Sequence, residues 1–133
     1  MSRPVSTPFN KIQQTRKLGA RVVLHGHHLA ESEVKVNELV AAEDLVLVHP
    51  YDDEAIIAGQ GTVALELLED HPEIDCLCVP VGGGGLLAGM SVAAHGLKPD
   101  LDIFGVQTRA FPSMHALLTG APLECGTTTI AEG

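Results

Sequence analysis

Short apolar runs alternate with amphipathic segments along the 133 residues of this chain, and the alternation predicts strands separated by helices. Runs rich in Val, Leu, Ile and Cys predict strands over residues 21–25, 45–48, 75–79 and 102–106. Amphipathic segments and segments that follow turn signals predict helices over residues 7–17, 31–43, 54–69, 86–97 and 113–118. Strands that alternate with helices form parallel sheets, so the predicted fold class is α/β, with three layers (α-β-α) around a parallel sheet.

A change of pattern over residues 47–53 marks the best candidate for a domain boundary, because helical segments dominate before it and glycines punctuate the chain after it. Asp52, Asp53 and Glu54 lie where a helix is predicted to begin. Carboxylates at that position accept hydrogen bonds from free backbone N–H groups and complement the helix dipole. We therefore interpret the three acidic residues as a helix cap and first turn.

Four consecutive glycines, residues 82–85, lie between the strand predicted over 75–79 and the helix predicted over 86–97. A loop without Cβ atoms at a helix N-terminus can turn several N–H groups toward one oxyanion. Leu86 and Leu87 stand where an NTPase phosphate loop has Lys and Ser or Thr, and the spacing does not match the dinucleotide fingerprint. Because a tight turn seldom needs four glycines, the segment predicts a site for an anion, most simply a phosphate.

The charge balance narrows the possible partners. The net charge is −9, with 17 acidic residues against eight basic ones and no basic cluster, which argues against nucleic acid as a partner. No apolar run approaches the roughly 20 residues of a membrane span. The first residues also lack the apolar core of a signal peptide, so we expect a cytoplasmic chain with no membrane partner.

The cysteines and a group of histidines are the candidate metal ligands. Three cysteines, an odd number, predict a reduced chain. Cys76 and Cys78 share one face of a predicted buried strand, where we interpret them as small apolar residues, with a Cys-x-Cys metal site as the alternative. His25, His27 and His28 have no Cys or group of acidic ligands near them in the sequence, so we interpret them as part of a solvated loop and predict no metal site.

Several segments occur in the order and spacing of one enzyme family. They are HPYDD (49–53), IAGQGTVALE (57–66), VPVGGGGLLAG (79–89), GVQ (105–107) and TIAEG (129–133). Together with residues 7–23, they resemble the threonine dehydratase (threonine ammonia-lyase) family, of which serine racemase is a close relative. Both belong to the fold-type-II, tryptophan-synthase-β-like enzymes that depend on pyridoxal phosphate (PLP). The resemblance covers essentially the whole chain and implies part of a fold-type-II PLP enzyme.

The resemblance assigns residues to the cofactor and to domains. The five residues from Gly82 to Leu86 match the loop that holds the PLP phosphate in this family, in agreement with the predicted anion site. Gly133 matches a glycine whose backbone lies near the cofactor ring. The implied cofactor-binding residues are thus Gly82, Gly83, Gly84, Gly85, Leu86 and Gly133. Residues 1–48 are implied to be part of the small domain, and residues 49–133 part of the large PLP-phosphate-binding domain.

The reaction implied by the resemblance is deamination of L-threonine, or L-serine, by β-elimination. The products are 2-oxobutanoate, or pyruvate, and ammonia. The implied partner is therefore a small-molecule amino-acid substrate, and isoleucine biosynthesis is the implied pathway. The parent enzyme is implied to be a homo-oligomer.

The chain also departs from the family. The family's Schiff-base lysine lies in a Ser-Phe-Lys-like motif, and none of Lys11, Lys17, Lys35 and Lys98 lies in one. The asparagine loop that binds the substrate carboxylate and the late Ser or Thr that bonds the pyridine nitrogen are missing too. We therefore predict no catalytic residue here and interpret the chain as an internal piece of a longer enzyme, inactive alone. Gln107 stands where cation-binding relatives often place Glu, which argues against a cation site.

Three alternatives stay open at this point. The chain could derive from a serine racemase or serine dehydratase relative, because the segments that bind substrate are absent. It could be a non-catalytic module that binds a phosphorylated ligand through the same glycines. It could also be the product of a decayed gene, with exposed sheet edges that favour aggregation.

Overall fold

The structure, a computed structural model, describes residues 2–5, 7–27, 29–126 and 129. The described residues form two compact units, one within residues 1–47 and the other within residues 48–133. Each unit contains a two-stranded parallel sheet accompanied by helices, so the predicted α/β class and the parallel pairing are confirmed. The elements in chain order are β1 (Ser2–Arg3), α1 (Phe9–Lys17), β2 (Val23–Leu24), α2 (Leu29–Glu43), α3 (Glu54–Asp70), β3 (Cys76–Pro80), α4 (Gly85–Leu97), β4 (Asp102–Val106) and α5 (Ser113–Thr119).

The first unit is built around the short parallel pair β1 and β2. Ile12, on α1, is buried, as is Ser32 on α2. The Ser32 hydroxyl donates a hydrogen bond of 2.7 Å to the carbonyl oxygen of His25, which satisfies this buried polar group. The strand predicted over residues 21–25 is present, but only Val23 and Leu24 are in the sheet.

The strand predicted over residues 45–48 is wrong. Helix α2 ends at Glu43, Asp44 has a φ of 50°, and the following residues are irregular. Val46 is 90% exposed. Val- and Leu-rich segments form strands where a neighbouring strand offers backbone partners, and no described residue pairs with this segment.

The second unit is a two-stranded sheet that packs one face against two helices. Strands β3 and β4 pair over five residues, from Cys76 opposite Asp102 to Pro80 opposite Val106. Alternate residues of β3, Leu77 and Val79, are buried. The buried core cluster consists of Ala64, Leu68, Leu77, Val79, Met90, Ala94 and Leu101, from α3, β3, α4 and the residue before β4. This core holds the end of β3 and the start of α4 in place.

Two glycines allow α3 and α4 to approach closely. A Cβ on Gly61 would lie 2.9 Å from the carbonyl oxygen of Gly89. A Cβ on Gly89 would lie 2.7 Å from the backbone nitrogen of Gly61 and would also collide with the carbonyl oxygen of Ile57. The contact between the helices is therefore made by backbone atoms, and it fixes α4, which begins with the last of the four glycines.

The second face of β3 is exposed, contrary to the interpretation of its cysteines as buried residues. Cys76 and Cys78 are both free and exposed, and on β4 Phe104 and Val106 are each 56% exposed. The apolar run predicts a strand buried on both faces, whereas the described helices cover only the face that carries Leu77. Desolvation and the neighbouring Cys78 thiol raise the pKa of the Cys76 thiol.

The helices of the second unit agree with the sequence to within two residues at each end. Asp53 caps α3 as predicted, because its carboxylate accepts hydrogen bonds from the backbone nitrogens of Ala55 (2.9 Å) and Ile56 (3.1 Å). Helix α5 ends at Thr119, and the residue that caps it, Gly120, has a φ of 70° that suits glycine. Within the described ranges, every helix is too short or too polar to cross a membrane.

Candidate functional site

The four glycines form the turn between β3 and α4, as the sequence predicts. The backbone nitrogen of Val81 still donates to the carbonyl oxygen of Val106, at 2.8 Å, so the loop begins at the carboxyl end of the sheet. Gly84 is the N-terminal cap of α4, with a φ of 95° that a side chain would strain. The first hydrogen bond at the start of α4 runs from the nitrogen of Ala88 to the oxygen of Gly84, at 2.9 Å.

The loop therefore presents a row of free N–H donors. The first N–H groups of a helix have no partner within the helix. No backbone hydrogen bond between described residues uses the N–H of any residue from Gly82 to Leu87. The positive end of the α4 dipole lies at the same end of the helix, and together these features suit an anion.

The glycine loop packs directly against Tyr51. A Cβ on Gly83 would collide with the Tyr51 ring and would lie 2.6 Å from its Cδ2 atom. A Cβ on Gly85 would lie 2.7 Å from the Tyr51 carbonyl oxygen and 3.0 Å from its Cα. The glycines are thus required by direct packing against a residue that lies about thirty positions earlier in the chain.

His49 holds the turn that carries Tyr51. Its Nδ1 atom accepts hydrogen bonds from the backbone nitrogens of Asp52 (2.7 Å) and Tyr51 (3.3 Å), so in this arrangement the ring proton lies on Nε2. The two rings pack edge to face with centroids 4.7 Å apart. The HPYDD segment is thereby explained as a support for the glycine loop. No local pattern in the sequence predicts that contact.

Gly82 differs from the three glycines that follow it. Apart from its chain neighbours, no described residue has an atom within 4 Å of the position that a Cβ on Gly82 would occupy, and the φ of Gly82 lies outside the left-handed region. Packing among the described residues does not require a glycine here. The free space beside the N–H donors is where a bound anion could lie, so the structure fits the predicted phosphate site.

A second group of residues lies at the carboxyl end of β4. Gln107 follows this strand, and its side-chain oxygen accepts hydrogen bonds of 3.1 Å from the backbone nitrogens of Met114 and His115 in α5. The methyl group of Met114 lies 2.7 Å from the position of a Cβ on Gly84. A cavity of about 640 Å³ is lined by residues near the strand ends and by Met114, His115 and Leu118 of α5. The sequence does not predict these residues as part of the site.

The lysines lie away from the glycine loop or in the other unit. Lys98 is the described lysine of the second unit, and its ammonium group donates to the carbonyl oxygens of Pro72 and Ile74. It follows the C-terminal end of α4, whereas the loop precedes the N-terminal end, about 20 Å away along a helix of 13 residues. Lys11, Lys17 and Lys35 belong to the first unit.

Two predictions concern residues or features beyond this loop. Gly133, assigned to the cofactor by resemblance, lies outside the described residues.

Among the described residues, no group of three or more His, Cys, Asp or Glu side chains could hold a metal ion. His27 instead donates its backbone N–H to the Glu31 carboxylate, at 2.6 Å.

Comparison with known proteins gives consistent matches. Residues 2–133 match the family described as pyridoxal-phosphate dependent enzyme. The chain is 42% identical to the L-threonine ammonia-lyase of Thermotoga maritima and 39% identical to the catabolic L-threonine dehydratase of Escherichia coli, in each case over 98% of the chain. It spans 33% and 40%, respectively, of the length of these relatives.

The fold matches solved structures of the same kind. Maize serine racemase superimposes with a TM-score of 0.85 at 29% identity, over 96% of this chain and 39% of that one. The processed threonine deaminase isoform 2 of Solanum lycopersicum superimposes with a TM-score of 0.80 at 33% identity, over 96% and 36% of the two chains.

Proposed function

Because the chain belongs to the family of pyridoxal-phosphate dependent enzymes, we propose that its glycine loop holds the phosphate of PLP in an enzyme that deaminates L-threonine or L-serine. The main support for the proposal is the open space at Gly82, which lies beside a row of free backbone N–H donors. The identity of about 40% to threonine ammonia-lyases and dehydratases supports the substrate class.

The residues proposed to hold the phosphate are Gly82, Gly83, Gly84, Gly85 and Leu86. Their backbone N–H groups can donate to the phosphate oxygens, and hydrogen bonds to a charged acceptor are about twice as strong as neutral ones. The α4 dipole adds about 0.3–1 kcal/mol for a charge near its N-terminus. When bound, the cofactor supplies the electron sink for removal of the substrate α-proton.

No residue of this chain is proposed to be catalytic. In the second unit the ammonium group of Lys98 is engaged by two backbone carbonyls at the opposite end of α4 from the loop. Gly133 remains a proposed neighbour of the cofactor ring. We also propose that residues 1–48 correspond to part of the small domain and residues 49–133 to part of the large domain, in a cytoplasmic homo-oligomer that takes no metal.

Phosphate binding by the chain itself tests the proposal. We expect saturable binding of inorganic phosphate and of PLP by calorimetry. G82A places a methyl group in the open space and should weaken both affinities by about tenfold, which corresponds to about 1.4 kcal/mol. The matched control is G96A, at the other end of α4, where an added Cβ also meets no other part of the described structure within 4 Å. Equal affinities for the two variants, or no binding by the unsubstituted chain, would refute the proposal.

Covalent attachment tests the absence of a catalytic lysine. After borohydride reduction with PLP, mass spectrometry should find no single lysine that carries the cofactor stoichiometrically. Stoichiometric attachment at Lys98 would contradict the assignment. A phosphorylated metabolite unrelated to PLP that binds more tightly than PLP would instead support the alternative, a non-catalytic phosphate-binding module.

A further inference from the structure

We propose that Gln107 is a positioning residue for the glycine loop and that it acts through α5 and Met114. The inference rests on the proposed function in one respect, namely that the loop binds phosphate. Its geometric part, a connection from the end of β4 to the conformation of Gly84, rests only on contacts between described residues.

The first step is the capping of α5 by a side chain from outside the helix. Helix α5 has seven residues, and Pro112, which precedes it, makes no side-chain cap. Gln107 replaces that cap, because its oxygen accepts from the nitrogens of Met114 and His115 at 3.1 Å each. Its amide nitrogen also lies 3.3 Å from the Ser113 hydroxyl oxygen. One side chain thus contacts three successive residues of the first turn of α5.

The second step is the weak support that α5 receives elsewhere. Ala116 is the buried residue of this helix, whereas Leu117 and Leu118 are 77% and 78% exposed. The cavity of about 640 Å³ is lined by Val81 and Leu87 and also by residues of α5. Because α5 makes little side-chain packing, its position depends largely on the hydrogen bonds that Gln107 makes with it.

The third step connects α5 to the loop. The Met114 methyl group is the atom that a Cβ on Gly84 would meet, at 2.7 Å. Gly84 is the loop residue in the left-handed conformation, with a φ of 95°, and its carbonyl accepts the first hydrogen bond of α4. A shift of α5 would move Met114 away from Gly84 and leave that turn free to relax. The direction of the neighbouring N–H donors would then be less well defined.

The test compares substitutions that remove the cap with one that keeps it. Q107L removes both acceptor interactions and should weaken binding of inorganic phosphate by about threefold to tenfold, as expected for the loss of one or two hydrogen bonds. Q107E keeps an oxygen that can accept from the α5 nitrogens and should restore affinity to within about twofold of the unsubstituted chain. T119V serves as the control, because it removes two hydrogen bonds at the other end of α5: the Thr119 hydroxyl donates to the His115 carbonyl and accepts from the Ala121 nitrogen.

A second readout separates this inference from the phosphate site itself. The amide resonances of Gly84 and Gly85 report loop geometry without any ligand, and Q107L should shift or broaden them whereas T119V should not. M114A, which leaves Gln107 intact, should reproduce the effect if Q107L fails to fold. If the chain binds no phosphate but Q107L moves these resonances, the positioning role stands and the proposed function fails. Unchanged resonances in both Q107L and M114A would overturn the positioning role.

Discussion

The glycine loop has two sides that differ in what surrounds them. On the packed side, residues 83–85 lie against Tyr51 and Met114, and a methyl group on any of the three would approach a neighbour within 3.0 Å. On the open side, no described residue beyond the chain neighbours has an atom within 4 Å of the position that a methyl group on Gly82 would occupy. Internal packing therefore explains three of the glycines and not the first. A ligand on the open side would explain the first.

The largest loss of stability is expected on the packed side, at Gly85. A methyl group there would meet the backbone of Tyr51, which cannot move as a flexible side chain can. We expect G85A to lower the free energy of unfolding by about 3 kcal/mol, the upper part of the range for overpacking. Urea unfolding measures the effect, with G96A as the control. Equal unfolding midpoints for the two variants would show that the loop is not packed as described.

A smaller loss, coupled to a second residue, is expected at Gly83. The atoms that a methyl group would meet here belong to the Tyr51 ring, which can shift or be removed. We expect G83A to cost about 2 kcal/mol. In a double-mutant cycle with Y51A, the cost of G83A should fall by about 1 kcal/mol, because the ring that it meets is gone. If the effects of G83A and Y51A on the free energy of unfolding were strictly additive, the Tyr51 ring would not be the cause of the loss in G83A.

The same contrast explains what the sequence could and could not predict. Helix ends and the Asp53 cap follow from local chemistry, and the loop position follows from four glycines after an apolar strand. The contact between Tyr51 and Gly83 joins residues far apart in sequence, so no periodicity or spacing shows it. Gln107 stands out in the sequence as a departure from cation-binding relatives, whereas its contact with α5 is visible only in three dimensions.

The two wrong predictions have a related cause. The segment at 45–48 has strong strand propensity but no strand beside it among the described residues, and Cys76 lies on a strand face that the described helices do not cover. Strand propensity and burial both depend on neighbouring elements, which a local pattern does not include. The helices are easier to predict because their hydrogen bonds form within the segment itself.

The smallest change in stability is expected at Gly82, on the open side of the loop. It gives the sharpest comparison with Gly83 on the packed side. G82A should leave the free energy of unfolding unchanged or raise it by about 0.4–1 kcal/mol, because alanine restricts the unfolded chain at a position without strain or collision. Urea unfolding of G82A beside G83A measures the contrast. A loss at Gly82 as large as that at Gly83 would mean that internal packing determines all four glycines. A stable G82A chain that binds phosphate weakly would instead show that adjacent glycines have different roles. Gly83 would be required for packing of the loop, and Gly82 for binding of the ligand.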